Sequence, residues 1–284
     1  MQRRFWFNIM QACLLSAAGL AATLPAHAAE NRHKDLFLGS VAMDVPAAMV
    51  ERLTPLAKYL SNQTGYSILF RASPNLGSAV DDLGLGQTQL AYLTPVAYIE
   101  ARDKYKAVPL VSPLTYGKPT FNLVIVVRKD SPIRAMRDLH GKKFAFGDEK
   151  ALLQPAVVRE AGIKLEDFAS YAYLKHYDNI AKALLNGDFD AGILKDTLAA
   201  KFEPLGLRVI HVSPPLASYL FAVSNHLKPE ILAQMKAALL DLNADTPENK
   251  AVLRALDPAY NGFVAVEDQD YNTIRKLIAP FKDK

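Results

Sequence analysis

Two residue types are all but missing. Cys13 is the only cysteine and Trp6 the only tryptophan among 284 residues. Both fall in residues 1–28, a stretch with the makeup of a secretory signal. Arg3 and Arg4 give its charged start, Ile9–Leu24 is apolar, and Ala26-His27-Ala28 fits the cleavage rule of small residues around one variable position. A membrane anchor fits less well, because Gln11 breaks a run already short for a bilayer span. Met10-Gln11-Ala12 is likewise a poor apolar approach to a lipidated Cys13. Cleavage after Ala28 would leave a chain with no disulfide, thiol nucleophile or cysteine-bound metal, folding on its hydrophobic core alone. Charge of one sign is also scarce: the formal balance is +4, and Arg3 and Arg4 supply two of those charges. No lysine–arginine run or aromatic-spaced basic patch stands out, so no nucleic acid is expected as a partner. The sequence lacks G-x-S-x-G, a Walker loop, G-x-G-x-x-G and H-E-x-x-H. His140 and His211 have no metal-set spacing, Asp81-Asp82 sit on a surface-like helix, and no nucleophile–base pair can be named. The chain is therefore expected to be no enzyme and to hold no metal or cofactor.

What is present is alternation. Leu36–Leu38 reads as a strand, and a helix from Pro46 carries Val50, Leu53, Leu56, Ala57 and Leu60 on one face. After Gly65 comes the strand Ser67–Phe70, completing a βαβ unit. Strands follow at Leu90–Leu93, Ala107–Val111 and Asn122–Val127, with helices at Ala79–Leu83 and at Val96–Lys104, the latter opened by Pro95. Pro113–Pro119 reads as turns and Ser131–Leu139 as a short helix. Further strands are expected at Phe144–Phe146, Tyr171–Leu174, Ala191–Leu194, Leu207–Val212 and Tyr219–Val223, with helices at Ile180–Leu185 and Thr197–Phe202. The remainder reads as helical: Pro229–Leu242, Pro247–Leu256 and Gln269–Phe281. Residues 86–94 and 187–195 echo each other as helix, glycine, strand, polar residue, helix. The pattern predicts an α/β fold of two lobes, each a mixed, mostly parallel sheet with flanking helices. The first takes 29–120 and 215–284, the second 121–214, joined by crossings near Pro119–Arg128 and Ser213–Tyr219. The helical tail is expected on the first lobe.

In open parallel sheets, ligands bind beyond the carboxyl ends of strands. Such ends fall at Met43-Asp44, Thr94-Pro95, Gly147-Asp148 and Lys195-Asp196. Lys143–Gly162 is strand, glycine turn and helix start, expected from about Ala151, which offers unpaired N–H groups and a positive dipole end. Tyr92, Tyr98 and Tyr116 lie near these ends or the first crossing and could supply walls and hydroxyls; each also reads as an ordinary aromatic. Thr94 sits at a helix start as ligand donor or plain N-cap. His176, Tyr177 and Asp178 precede a helix, with His176 or Tyr177 as donor and Asp178 as orienting group or cap. Asp148, Gln154 and Lys195 complete the candidates, Lys195 either meeting an anion or bridging to a surface carboxylate.

Several segments together resemble the phosphonate/phosphite-type periplasmic solute-binding proteins of ABC transporters, within the type II periplasmic-binding superfamily. They are Pro55–Ser61 (PLAKYLS), Leu90–Tyr98 (LAYLTPVAY), Val126–Ser131 (VVRKDS), Asp138–Phe146 (DLHGKKFAF), Gly187–Gly192 (GDFDAG) and Asp268–Arg275 (DQDYNTIR). The resemblance spans about Leu36 to Ile274. It implies two lobes closing on a hinge over a small, polar, oxyanion-type ligand, and delivery to a membrane permease by a monomeric periplasmic protein. The family's Ser/Thr-rich turn, of S-T-S-G type, is replaced here by Asp148–Pro155, with no serine or threonine. A phosphonate would lose hydroxyl donors there, and Tyr177 aligns with the family's ligand histidine as naturally as His176 does. Two alternatives accompany this reading. One is a sensor using the same clamp to signal to a membrane kinase or receptor, and the other is an enzyme built on the fold.

Overall fold

The computed structural model describes residues 35–41 and 46–282. The expected signal segment and the Met43-Asp44 strand end lie outside the described residues. Strand β1 (Leu36–Ser40), helix α1 (Pro46–Thr64) and strand β2 (Ile68–Ala72) form the βαβ unit, with β1 and β2 parallel. On α1, Met49, Leu53, Leu56, Ala57 and Leu60 recur at helical spacing and are buried. Val50, expected on that face, is 48% exposed. It stands one residue beyond Met49, about 100° round the helix.

Helix α2 (Leu76–Gly84), strand β3 (Leu90–Leu93), helix α3 (Pro95–Tyr105) and strand β4 (Val108–Thr115) follow. The sequence reading ends β4 at Val111, but the strand runs on through Pro113. Its prolines are tolerated because its pairings shift register beside them, near Pro109 on one side and Pro113 on the other. Strand β5 (Thr120–Phe121) then leads to strand β6 (Leu123–Arg128). The helix expected over Ser131–Leu139 is reduced to a single turn at Met136–Leu139. There the Asp138 carboxylate accepts from the N–H groups of Arg134 and Ala135, at 2.8 and 3.0 Å, capping the turn instead of extending a helix.

Strand β7 (Lys143–Phe146), helix α4 (Leu153–Glu160), strand β8 (Ser170–Tyr173), helix α5 (Tyr177–Asn186), strand β9 (Ala191–Lys195), helix α6 (Asp196–Phe202) and strand β10 (Leu207–Val212) build a second sheet. Gly192 lets α5 approach β9, since a Cβ there would lie 2.5 Å from Ile180. The chain then returns through strand β11 (Leu216–Ala217) to strand β12 (Leu220–Val223), helix α7 (Pro229–Asp241), helix α8 (Pro247–Leu256), strand β13 (Tyr260–Ala265) and helix α9 (Asn272–Ile278).

The first sheet has the order β13-β4-β12-β3-β1-β2 and the second β10-β6-β9-β7-β8. Between them β5 and β11 pair antiparallel, so the chain leaves the first sheet and returns to it side by side. Parallel pairing is confined to β1 with β2 and β3, and to β7 with β8 and β9. The sheets are thus mixed without the parallel majority expected. The returning β12 inserts antiparallel to both β3 and β4, and β13 adds antiparallel at the edge.

Two features of the tail differ from expectation. Residues 260–265 form β13 where none is predicted; Asn261 and Gly262 are poor strand formers, and the β13–β4 register shifts across them. Helices α7 and α8 pack on the first sheet's α1 and β13, but α9 packs on both α3 and α4. Ile274 and Ile278 share one apolar cluster with Tyr98 and Ala101 of α3 and with Leu153, Ala156 and Val157 of α4. The Arg159 guanidinium of α4 lies 5.7 Å from the Phe281 ring.

Candidate functional site

The centre of the candidate site is a lysine. Lys195 ends β9 and precedes α6, between neighbouring strands β6 and β7, and is only 8% exposed. Its Nζ lies 5.7 Å from the ring centres of Tyr219 and Tyr260 and 5.8 Å from that of Phe121. Asp257 Oδ2 is 3.9 Å away. Phe121 and Tyr219 lie on the crossing segments, Tyr260 on β13, and Asp257 just after α8. A lysine of the second sheet thus ends among side chains of the crossings and the first sheet. Among the described residues its ammonium donates no hydrogen bond. Burial pushes the lysine below its ordinary pKa, with the charges of Asp257 and Asp196 working against that shift.

Tyrosine hydroxyls surround this point. Tyr92, on β3, stacks on Tyr219 at 5.6 Å between ring centres and meets the Tyr260 hydroxyl at 2.5 Å, either oxygen donating. Burial raises the hydroxyls of Tyr92, Tyr219 and Tyr260, so each keeps its proton and can donate at neutral pH. Tyr177, at the start of α5, is raised by burial as well, and its hydroxyl hydrogen-bonds the Gln154 side chain. The Gln154 Oε1 in turn accepts from the Gly147 N–H at 2.7 Å. A Cβ at position 147 would stand 2.7 Å from Gln154 Nε2, so glycine allows this close approach.

The turn after β7 satisfies part of the expected row of N–H groups itself. Helix α4 starts at Leu153, later than expected, and the turn supplies its own acceptors. Asp148 Oδ1 accepts from Lys150 N–H at 2.8 Å, its carbonyl from Ala151 N–H at 3.0 Å, and the Lys150 carbonyl from Leu152 N–H at 2.9 Å. Asp148 is exposed and folded back onto this turn.

The structure therefore brings Tyr92, Gln154, Tyr177 and Lys195 to neighbouring positions and gives the other candidates different environments. Tyr98 is fully buried against Tyr271, 4.8 Å between ring centres, and its hydroxyl donates to Asp268 Oδ1 at 2.6 Å. That bond ties α3 to the tail and leaves nothing for a cleft. Tyr116 stands 75% exposed in the tight turn after β4, at a left-handed φ of 49°. Thr94 is the N-cap of α3, its Oγ1 accepting from Ala97 N–H at 3.2 Å. His176 precedes α5 with no side-chain cap bond, and Asp178 is exposed in the first turn of that helix. Sequence reasoning missed Phe121, Tyr219, Asp257 and Tyr260. Tyr219 lies within the predicted crossing and could have been found there. Asp257 and Tyr260 depend on the unpredicted β13.

Among the described residues, no group of three or more His, Cys, Asp or Glu side chains could hold a metal ion, and no helix is long and apolar enough to cross a membrane. The assembled groups are the Lys195 ammonium, the carboxylates of Asp257 and Asp196, several neutral hydroxyls and an amide, a set suited to holding a polar ligand.

Comparison with known proteins gives a consistent answer. Residues 38–271 match the profile of the family described as ABC transporter, phosphonate, periplasmic substrate-binding protein. The chain is 26% identical to the phosphate-import protein PhnD of Mycolicibacterium smegmatis, covering 88% of this chain and 86% of that one. It is 25% identical to the phosphonates-binding periplasmic protein of Escherichia coli, over 91% and 80% of the two chains. The solved structure of PhnD1 from Prochlorococcus marinus, in complex with methylphosphonate, superposes with a TM-score of 0.78 at 18% identity, covering 88% and 99%. These are transport proteins, and they lend the sensor alternative no support. The chain belongs to the phosphonate family of periplasmic substrate-binding proteins of ABC transporters, has their type II two-sheet fold, and serves to capture a small ligand and deliver it to a membrane permease.

Proposed function

We propose that this chain captures a small tetrahedral oxyanion between two lobes, 29–120 with 215–284 and 121–214, and performs no chemistry on it. Lys195 supplies the positive charge, and Tyr177, Tyr219 and whichever of Tyr92 and Tyr260 does not donate to the other supply hydroxyl donors in place of the missing Ser/Thr turn. One observation carries the reading: a nearly buried ammonium without a hydrogen bond among the described residues, beside hydroxyls that stay protonated. An oxyanion there gains charge-assisted hydrogen bonds and relieves a desolvated cation. The names of the relatives, phosphate import and phosphonate binding, support the same ligand class. Contacts from both lobes would favour the closed state, which a permease can distinguish from the open one. Export by cleavage after Ala28 belongs to the same proposal.

The test is a thermal-shift series with phosphate, phosphite, methylphosphonate and methanesulfonate. A ligand at about a hundred times its Kd stabilises by about 2.7 kcal/mol. At least one oxyanion is expected to raise the melting temperature. If none does while an uncharged or cationic solute does, the proposal fails.

A further inference from the structure

The surroundings of Lys195 bear on how much negative charge the cleft tolerates. Asp257 is held in the turn between α8 and β13. Its Oδ1 accepts from Ala259 N–H at 2.9 Å, its own N–H donates to the Leu253 carbonyl, and its carbonyl accepts from Tyr260 N–H at 3.0 Å. These bonds leave Oδ2 directed at the lysine, 3.9 Å from Nζ, with the side chain 30% exposed. Asp196 adds a second carboxylate next in sequence, fixed by the N–H groups of Asn122 and Thr197 at 3.0 and 2.7 Å. Two other cations influence the neighbourhood, Arg52 by Tyr260 and Lys201 by Lys195. Both are exposed, so water and salt screen them. An anion that takes the lysine's donors must sit within a few ångströms of the Asp257 oxygen. Its first charge is matched by Lys195, whereas a second faces two fixed carboxylates and, among the described residues, no second buried cation.

We propose that Asp257 sets the charge of the ligand: with its carboxylate fixed beside the only buried ammonium among the described residues, the cleft selects a singly charged tetrahedral oxyanion over a doubly charged one of the same shape. This rests on the oxyanion reading of the site and narrows it to a class, sulfonates and singly protonated or singly esterified phosphonates. The Asp257→Asn variant keeps the oxygen that accepts from Ala259 and removes only the charge.

Methanesulfonate and methylphosphonate make the comparison clean, since both are a methyl group on a three-oxygen tetrahedron. At about pH 8, kept low because burial lowers the Lys195 pKa, the first carries one charge and the second mostly two. Isothermal titration of the wild-type protein is expected to give methanesulfonate at least a tenfold lower Kd, about 1.4 kcal/mol. In Asp257→Asn that ratio is expected to shrink at least threefold. Equal or tighter wild-type binding of the phosphonate dianion overturns the proposal, as does an unchanged ratio in the variant. Should the variant fail to fold, the wild type alone decides. Lowering the pH to about 5, below the second ionisation, where methylphosphonate is largely singly charged, must bring its affinity toward that of methanesulfonate, and no convergence refutes the selection. If the wild type binds neither anion, and neither phosphate nor phosphite raises its melting temperature, the oxyanion reading itself falls and the role of Asp257 with it. If only phosphate or phosphite binds, the same charge comparison is made between its singly and doubly charged forms at about pH 5 and about pH 8. Binding of both with the dianion preferred removes only Asp257.

Discussion

Replacing Lys195 by methionine separates a binding lysine from a structural one. Methionine keeps a stem of similar length against Phe121, Tyr219 and Tyr260, so the packing change is small. The variant loses the attraction of the ammonium to those rings, about 0.5–1 kcal/mol each. It also loses a long, partly exposed pairing with Asp257, worth at most about 1 kcal/mol. Against these stands the removal of a desolvation cost of several kcal/mol. The ligand-free variant is therefore expected to be as stable as the wild type or up to about 2 kcal/mol more stable. For a chain of this size that corresponds to a melting temperature unchanged or raised by up to about 6 °C. Oxyanion binding is expected to weaken by about 2–3 kcal/mol, roughly 30- to 150-fold. The pH profile gives a second readout. Burial lowers the lysine's pKa, so above the folded value the unfolded chain binds more protons than the folded one. Stability attributable to Lys195 therefore rises with pH from that folded value up to the ordinary lysine value near about 10.4. Buried tyrosines with raised values act in the opposite direction above about pH 10, but they cancel in the difference between wild type and variant. Calorimetry with and without oxyanion measures all of this. A ligand-free variant destabilised by more than about 2 kcal/mol would show the ammonium to be a net tie between the sheets. Unchanged oxyanion affinity would refute its place in the site.

Tyr98→Phe is expected to lower stability by about 1–2 kcal/mol, because Asp268 loses a donor, while ligand affinity stays at the wild-type value; denaturant titration and isothermal titration measure the two. Gln154→Ala leaves the buried Gly147 N–H without its acceptor and the Tyr177 hydroxyl without its partner, for a loss of about 1–3 kcal/mol and weaker ligand binding, read by the same two titrations. Acid titration should expose Asp268. Burial raises its carboxyl, but hydrogen bonds from Arg275 and Tyr98 outweigh burial and leave it lowered. Its contribution is therefore present above the unfolded carboxylate value near about 3.9 and lost as pH falls through the lower folded value, and Asp268→Asn should flatten that part of the acid limb.

Local patterns made much of the fold legible. Helical spacing made α1 legible, and the strand-end rule drew attention to Tyr92 and Lys195, because both signals depend on short stretches with strong period or fixed punctuation. Partners distant in sequence were not readable. The Tyr92 hydroxyl meets Tyr260, 168 positions away, on a strand disguised by Asn261-Gly262. Tyr98 lies in a segment that ends at the site, yet its hydroxyl is taken by a residue 170 positions away. The glycine turn at 147 is legible in the sequence, but its internal hydrogen bonds are not. Its sequence did not say that Asp148 and Gln154 would satisfy the turn from within.

The seating of α9 on both α3 and α4 limits how the gene can be divided. A fragment cut at β5 and β11 would carry α4 away from Ile274 and Ile278, leaving Leu153, Ala156 and Val157 without their apolar cover. The remaining piece would expose the matching side of α9. Two halves that look separable by their sheets are therefore a poor pair of independent modules. Swaps between relatives that aim to exchange ligand preference should move α9 together with the second sheet, or redesign the surface it covers.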